Sequence, residues 1–489
     1  MSTDLLTAGR AVYNKELETW ISKEMAAVEL VAAVGNLLYH KSVELVLFRN
    51  HLVDTSVSEV LKLHKYAADV VQKPIDVFTT TQLCKMLTTM DLAPAKIDIG
   101  KLAAEWLEEK DSASMHDFLM SKVGSFIAKG NGRSIEPRDV VLFGFGRIGR
   151  LAARELVRQF GKGQQLRLKA IVTRKVTDAE IIKRGDLLRM DSVHGPFPGT
   201  VVADLKRKAL IINGQIVKMI EAPAPDQVNY EDHGISNAVL IDNTGVYRDR
   251  DALSLHLKSK GISKVILTAP GKGVPNVVYG VNHFDLDLEN ESIYSAASCT
   301  TNAICTVLSV MESTYGVEKG HIETVHAYTN DQNLLDNYHK KERRGRSAAV
   351  NMVITETGAG SAVTKVIPSL ANKLTANAVR VPVPNGSLAI MSLQLGRETS
   401  VEEVNATIKD AALNGNLVNQ IKYSIEPELV SSDIIGDTCC SVFDSRATLI
   451  HPDKKNVVLY VWYDNEYGYT KQVIRLAKYV AKVRRMHYY

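Results

Sequence analysis

Asp139-Val-Val-Leu-Phe143 runs directly into Gly144-Phe-Gly-Arg-Ile-Gly-Arg150, and Leu151, Ala152, Leu156 and Val157 follow at helical spacing. A short apolar strand, a glycine turn and a helix, in that order, form the setting in which G-x-G-x-x-G takes a dinucleotide. Gly144 makes the turn, Gly146 lets backbone approach a pyrophosphate, and Gly149 allows close packing of helix on strand. A second strand over Leu166–Thr173 sits at βαβ spacing. Further strands over 238–242 and 264–268 end in Asn243-Thr-Gly245 and Ala269-Pro270. Small or polar residues at that edge mark where parallel sheets bind ligands. The fold expected here is α/β, a Rossmann dinucleotide-binding domain.

At the end of the second strand an acidic residue would hold a ribose 2′-hydroxyl, but Thr173-Arg174-Lys175 stands there. A basic pair without a carboxylate suits a 2′-phosphate, so the cofactor is read as NADP, or NAD and NADP both. Solvent-facing side chains are the alternative.

The whole chain has 489 residues, room for about three domains. Its 45% hydrophobic and 23% charged residues are those of a globular protein, and a net charge of +4 gives no argument for nucleic acid or membrane. Cys84, Cys299, Cys305, Cys439 and Cys440 form no CxxC pair, which suggests a reducing, cytoplasmic setting. No signal peptide is read at the N-terminus, and the apolar run 25–38 is broken by Glu29, Gly35 and Asn36 and is too short to span a bilayer. Residues 1–133 read as an all-α extension. Leu17, Trp20, Ile21, Met25 and Val28 fit a long amphipathic helix, Ser56-x-x-Glu59 resembles a capping box, and helical patterns continue to residue 127. Lys129-Gly-Asn-Gly-Arg133 reads as a linker. No metal cluster or phosphate loop is apparent in the extension, which is expected to pack on the remainder or mediate assembly.

Ser295-Ala-Ala-Ser-Cys-Thr-Thr-Asn302 precedes Ile304, Val307, Leu308 and Met311 at helical spacing, which puts Cys299 at a helix start. Unpaired N–H groups and the helix dipole favour negative charge there, so a lowered thiol pKa and a nearby anion are expected. A small buried cysteine is the plain alternative. His326 lies 27 positions on, in strand-like Ile322-Glu-Thr-Val-His-Ala-Tyr328. A histidine and a cysteine on separate elements can form a nucleophile–base pair. Thr329, Thr357, Gly358 and Arg380 form a set suited to phosphate groups.

Taken together, residues from about 138 to 482 resemble the phosphorylating glyceraldehyde-3-phosphate dehydrogenase family. The matching pieces are the glycine fingerprint, Asp191-Ser-Val-His-Gly195, Ala297-Ser-Cys-Thr-Thr-Asn302, Thr324-Val-His-Ala-Tyr-Thr-Asn-Asp-Gln332, Arg380-Val-Pro-Val-Pro384, Ser431-Ser-Asp433 and Trp462-Tyr-Asp-Asn-Glu466. The resemblance implies a dinucleotide domain over 134–298 and 465–489, and an α+β catalytic domain over 299–464. Cys299 would attack the aldehyde with His326 as base. Thr329 and Arg380 would bind the substrate phosphate, with Ser298, Thr300, Thr357 and Gly358 around inorganic phosphate. Arg147 and Ile148 would meet the pyrophosphate, Thr244, Gly245 and Thr268 would line the cofactor cleft, and Asn465 would orient the nicotinamide. The substrates implied are glyceraldehyde 3-phosphate and inorganic phosphate, in glycolysis or gluconeogenesis. A homotetramer is implied, without metal, nucleic acid or membrane.

Departures from the family pattern are Phe143 for the usual Asn, Thr173 for the acidic ribose ligand, Asn337-Tyr338 for Leu-Pro, and Glu356 and Ser361 in the Thr357 motif. Erythrose-4-phosphate dehydrogenase is the alternative enzyme, against which the Thr329 motif favours the triose. A regulatory or assembly protein, acting through a partner of residues 1–133, is the alternative class.

Overall fold

The computed structural model describes residues 2–127 and 135–489. It forms two compact units, Met1–Glu136 with Arg484–Tyr489, and Pro137–Val483. The expected linker at 129–133 lies outside the described residues.

The smaller unit begins with a forty-residue helix, α1 (Ser2–Lys41). Its second half buries Ala26, Ala27, Leu30, Ala33, Val34, Leu37 and Leu38, the one-face spacing of a helix packed on a core. It packs on α2 (Val57–Val71) and α3 (Val77–Thr89). Ser56 caps α2 by accepting from the Glu59 N–H at 3.2 Å, one half of the expected box. Two further helices, α4 (Ile99–Glu109) and α5 (Met115–Val123), complete the helical part.

This unit is mixed rather than all-α. Strands β1 (Glu44–Leu47), β2 (Asn50–His51) and β3 (Ala95–Asp98) form a sheet in the order β2-β1-β3, with Met486–Tyr488 added parallel to β3. Strands this short carry no readable alternation. The β1–β2 turn uses Phe48 and Arg49, both at positive φ (40° and 64°), in place of the Gly or Asn that signals a hairpin. The Asp98 carboxylate holds it by accepting from the N–H groups of Phe48 and Arg49, at 2.8 and 3.1 Å.

The chain end is a second correction, since Arg484–Tyr489 was expected in the dinucleotide domain and joins the N-terminal unit instead. Arg485 donates to buried Glu44 at 3.1 Å, and Glu44 also meets His51 at 2.7 Å and Lys96 at 3.4 Å. A residue that completes a sheet from hundreds of positions away leaves no local signal.

The larger unit is α/β. β4 (Arg138–Phe143), α6 (Arg147–Arg158), β5 (Leu166–Thr173) and α7 (Asp178–Arg189) come first. The short pair β6 (Met190–Asp191) and β7 (Gly195–Pro196) is followed by β8 (Val201–Asp204), β9 (Ala209–Ile212) and β10 (Gln215–Glu221). Next are β11 (Ala238–Asp242), α8 (Arg250–Ser254), β12 (Ile262–Leu267) and β13 (Ile293–Ser295). The eight-stranded sheet runs β13-β12-β11-β4-β5-β10-β9-β8, parallel from β13 to β10. Val140, Val141, Leu142, Val239, Leu240 and Ile241 are wholly buried, as central parallel strands require.

After β13 the chain enters α9 (Cys299–Tyr315) and a second sheet. Its elements are β14 (Val317–Ala327), β15 (Val353–Thr355), α10 (Ala359–Val366), β16 (Leu374–Val381), β17 (Ser387–Leu395), α11 (Val401–Leu413), β18 (Ile421–Ser424), β19 (Ser441–Asp444), β20 (Leu449–Ile450) and β21 (Asn456–Tyr463). The strand order is β15-β16-β14-β17-β21-β19-β18, with β20 beside β21. The closing helix α12 (Tyr467–Val480) returns to α6, where Lys471 pairs with buried Glu155 at 2.5 Å and Tyr467 donates to the same carboxylate at 2.8 Å. Among the described residues no helix is long and apolar enough to cross a membrane.

The Glu44 cluster is where the C-terminal strand is held. Arg485→Met is expected to lower stability by about 2 kcal/mol, because a buried carboxylate loses a charged donor. Urea unfolding of the full chain checks this, and an unchanged midpoint would contradict it.

Candidate active site

Parallel register brings the predicted cofactor residues to one edge. Phe143 is aligned with Val172 on one side and Asp242 on the other, Asp242 with Leu267, and Leu267 with Ser295. Gly144, Thr173, Thr244, Gly245 and Thr268 therefore follow one another along the carboxyl ends of the strands. Asp242 orders this edge: its Oδ1 accepts from the Thr244 N–H and hydroxyl at 2.8 and 2.7 Å, and His256 meets its Oδ2 at 3.0 Å. The Thr268 hydroxyl donates to the Asp242 carbonyl at 3.0 Å, so this side chain is already engaged.

The glycine turn has the shape a pyrophosphate needs. Gly144 has φ of +91°, and a Cβ on Gly149 would stand 2.5 Å from the Gly144 carbonyl oxygen. A Cβ on Gly146 would meet nothing within 4 Å, so the space above the turn is open. Arg147 and Ile148 start α6, where free N–H groups favour an anion. The Arg147 guanidinium is committed elsewhere: it pairs with Glu466 and, at 3.2 Å, with Asp191. His194 completes this network at 2.9 Å from Glu466. Only the backbone of Arg147 is left for a phosphate.

A cavity of about 290 Å³ opens beside the turn, lined by Phe143 to Gly146, Thr173, Arg174, Arg184, Thr244 and Tyr247 among others. The Thr173 hydroxyl donates to the Lys175 carbonyl at 2.9 Å and closes one wall. Arg184, on α7, has a buried Nε without a hydrogen-bond partner. Its place on a different element hid it from the sequence. Among the described residues, the lining contains two arginines and no carboxylate. Open turn, helix start and arginine-edged cavity fit a dinucleotide.

Cys299 continues the same edge, four residues after β13. Ser298 caps α9, its oxygen accepting from the Thr301 N–H at 3.0 Å, and Cys299 is the first helical residue, as expected. Cys299 Sγ lies 3.5 Å from His326 Nε2, so the two are brought together. Thr300 turns inward, its hydroxyl 3.0 Å from that of Tyr463, a buried residue the sequence reading did not single out.

His326 is the last residue but one of β14, in register with Arg380 on β16. Its Nδ1 is 2.7 Å from the Ala327 carbonyl oxygen, and Arg380 Nη1 is 2.8 Å from Nδ1 and 3.0 Å from the same oxygen. We assign the ring proton to Nδ1, because the carbonyl can accept from both groups. Nε2 then faces the thiol as an acceptor.

Burial, seconded by the charge of Arg380, pushes the His326 pKa down to about 3, so the ring is neutral at pH 7. Burial also raises the Cys299 thiol, outweighing the pull of Arg380 and the Thr300 groups. This corrects the expectation of a lowered thiol pKa: the helix start is real, but desolvation dominates. The thiol needs a base.

Beyond Arg380 the site is strongly positive. Arg344, buried and missed in sequence, reaches Thr329 Oγ1 at 3.3 Å and Asp331 at 2.5 Å, while the Thr329 hydroxyl donates to Asp331. The Nε atoms of Arg344 and Arg380 and the Nε2 of Gln332 are buried without partners. Buried donors of this kind call for an anion. Thr357 and Gly358 connect β15, which pairs with the Arg380 strand, to α10, which packs on α9. Asn465 follows β21, and its Oδ1 accepts from Ser387 at 2.8 Å, leaving the amide nitrogen for other contacts.

The fingerprint domain and the cysteine domain both match family models. Residues 138–250 match the glyceraldehyde 3-phosphate dehydrogenase NAD-binding domain, and residues 298–465 match its C-terminal domain. The chain belongs to the glyceraldehyde-3-phosphate dehydrogenase family. It is an NAD-dependent oxidoreductase acting on an aldehyde group. A glyceraldehyde-3-phosphate dehydrogenase-like protein of Pseudomonas aeruginosa is 44% identical over 459 residues, 93% of this chain and 98% of that protein. A match of this length takes in most of the N-terminal extension as well. The glyceraldehyde-3-phosphate dehydrogenases of Clostridium pasteurianum and Thermotoga maritima are 38% and 42% identical over 349 and 345 residues, about 70% of this chain and 98% and 99% of theirs. These shorter relatives are the family core without an extension of this size.

Two outcomes follow from the geometry. Gly146→Val should fold normally, since its Cβ has open space, yet lose dinucleotide affinity by about 100-fold through blocking the pyrophosphate approach. Thermal unfolding with a fluorescence titration of the reduced cofactor tests both halves. His326 has a folded pKa below its unfolded value, so the unfolded chain binds more protons between about pH 6.5 and 3, and stability falls as pH drops through that window. His326→Asn should flatten the slope there, and an unchanged pH dependence of unfolding would contradict the assignment.

Proposed function

We propose that this protein catalyses the phosphorylating oxidation of glyceraldehyde 3-phosphate to 1,3-bisphosphoglycerate. The observation that carries this is the Cys299–His326 pair, 3.5 Å apart, set beside the buried Nε donors of Arg344 and Arg380, which have no hydrogen-bond partner. His326 Nε2 takes the thiol proton as Sγ attacks the aldehyde carbon, giving a thiohemiacetal. The resulting imidazolium, its Nδ1–H held by the Ala327 carbonyl, donates to the developing oxyanion. The bound dinucleotide supplies the hydride acceptor. His326 receives the hydroxyl proton as the thiohemiacetal is oxidised, and the acyl group stays on Sγ as a thioester. Inorganic phosphate attacks its carbonyl carbon, releasing the acyl phosphate and the thiolate. Thr329, Arg344 and Arg380 hold the substrate phosphate. Ser298, Thr300, Thr357 and Gly358 are assigned to the attacking phosphate, although the hydroxyls of Ser298 and Thr300 must share that task with their present partners, Thr301 and Tyr463. Asn465 orients the nicotinamide through its amide nitrogen. The division into a dinucleotide domain and a catalytic domain is proposed to follow the two sheets.

NADP is proposed as a cofactor beside NAD, because Arg174 and Arg184 edge the ribose end of the cavity where a carboxylate would favour NAD. With NADP the reductive, gluconeogenic direction becomes open, beside the glycolytic one. A homotetramer is supported by one stretch that exposes Leu334, Leu335, Tyr338, Val350 and Met352, each more than 70% accessible. Free cysteines, none in a disulfide, support a cytoplasmic location.

Initial rates with NAD and NADP, with and without inorganic phosphate, and with the triose and erythrose 4-phosphate, test the proposal directly. The expected result is phosphate-dependent oxidation of the triose with both cofactors; phosphate independence would overturn the phosphorolysis step. Cys299→Ser should abolish oxidation while dinucleotide affinity is kept, and His326→Asn should lower kcat by about 10²–10⁴-fold.

A further inference from the structure

From Arg10 to Lys23, α1 is a helix against which no other described residue buries a side chain. Every residue from Arg10 to Lys23 is exposed, whereas the core contacts begin at Ala26. An uncovered helix of several turns draws little stability from its own hydrogen bonds and ordinarily needs an apolar face to be buried. Such a face is present. Tyr13, Leu17, Trp20, Ile21, Met25 and Val28 recur at helical spacing, with exposures from 43% to 67%, on the side opposite Leu30, Val34 and Leu37. The core of the unit therefore cannot cover it.

The charges on this stripe say what can. Leu17 lies at its centre; Arg10 stands seven residues before it and Glu24 seven after, both on the stripe itself. Tyr13 and Ile21 stand four residues to either side. A parallel pairing of two such helices would set Arg10 against Arg10 and Glu24 against Glu24, like charges within an apolar seam. An antiparallel pairing centred on Leu17 sets Arg10 against Glu24 of the second copy, twice by symmetry, and Tyr13 against Ile21. On the stripe, the charged pair Arg10–Glu24 and the apolar pairs Tyr13–Ile21 and Leu17–Leu17 are made in the reverse direction, and the charged pair is lost in the parallel one.

We propose that residues 10–24 of α1 form an antiparallel two-helix contact with the same segment of a second copy of this chain, with Leu17 on the two-fold axis. The extension thus adds an association surface of its own to the enzyme, apart from the dehydrogenase core. Two helices of this length make a small interface, so the contact is either made within an assembly that already holds the copies close or is concentration-dependent.

Single cysteines in the full-length protein, in a Cys299→Ser background, test this by copper-catalysed oxidation and non-reducing electrophoresis. Leu17→Cys, on the axis, should give a covalent dimer. Arg10→Cys and Glu24→Cys should each link poorly alone and link to one another when the two variants are mixed and allowed to exchange by reversible denaturation. In the Leu17→Cys protein, Glu24→Arg should slow cross-linking by about fivefold, and the added reversal Arg10→Glu should restore it. Failure of Leu17→Cys to link, with α1 helicity intact by circular dichroism, would overturn the proposal. Self-linking of Arg10→Cys as fast as Leu17→Cys would overturn the antiparallel arrangement.

Discussion

Level strand ends are the constraint on which the site depends. From β13 to β5 the parallel register keeps Ser295, Leu267, Asp242, Phe143 and Val172 side by side, so whatever follows each strand emerges at a common edge. The glycine turn, the threonines of the cleft and the helix bearing Cys299 all follow such ends. A shift of one strand by one residue would exchange side chains that are close-packed on both faces of the sheet, which the density of a protein interior resists. Hydride-transfer geometry is thereby set by hydrophobic burial in a sheet that never touches substrate.

Burial also governs the charges of the reacting groups. At the helix start the dipole and Arg380 favour a thiolate, yet desolvation raises the thiol, and the same desolvation with the same arginine keeps His326 neutral. The resting pair is uncharged, surrounded by guanidinium groups that outnumber their carboxylates. Burial, and then the nearby charge of Arg344, disfavour the charged form of Arg380, and among the described residues Asp331 is the carboxylate that offsets them. In the proposed reaction a phosphorylated substrate would relieve that imbalance on arrival, and binding energy would be obtained where the chemistry needs a positioned aldehyde.

Much of this is legible in the sequence. The glycine fingerprint is read by local rules, because strand, turn and helix are contiguous, and Cys299 at a helix start is likewise a local feature. His326 was identifiable only as a companion, since the 3.5 Å contact comes from the fold. Arg344 and Arg184 were lost among other arginines, and nothing local distinguishes a buried guanidinium from a solvated one. Arg147 shows the converse: its place at the start of α6 is a local feature, but its side chain is held by Glu466 and Asp191 from remote segments. In the extension the helices were visible through their period and caps. The sheet was not, because three of its strands are very short and the fourth comes from the far end of the chain.

That fourth strand has a consequence for the order of events during synthesis. Residues 484–489 emerge only after the whole dehydrogenase core has been made, so β3 presents an unpaired edge until then. An open edge is a site for wrong pairing, and closing it depends on a segment made after residues 137–483. The entropic cost of so long a closure grows only slowly with its length, so the finished sheet is not penalised heavily for its distant strand. The delay falls on the folding path: the N-terminal unit reaches its final hydrogen bonding at the same time as the enzyme it accompanies, and a chain released early would carry an unfinished sheet.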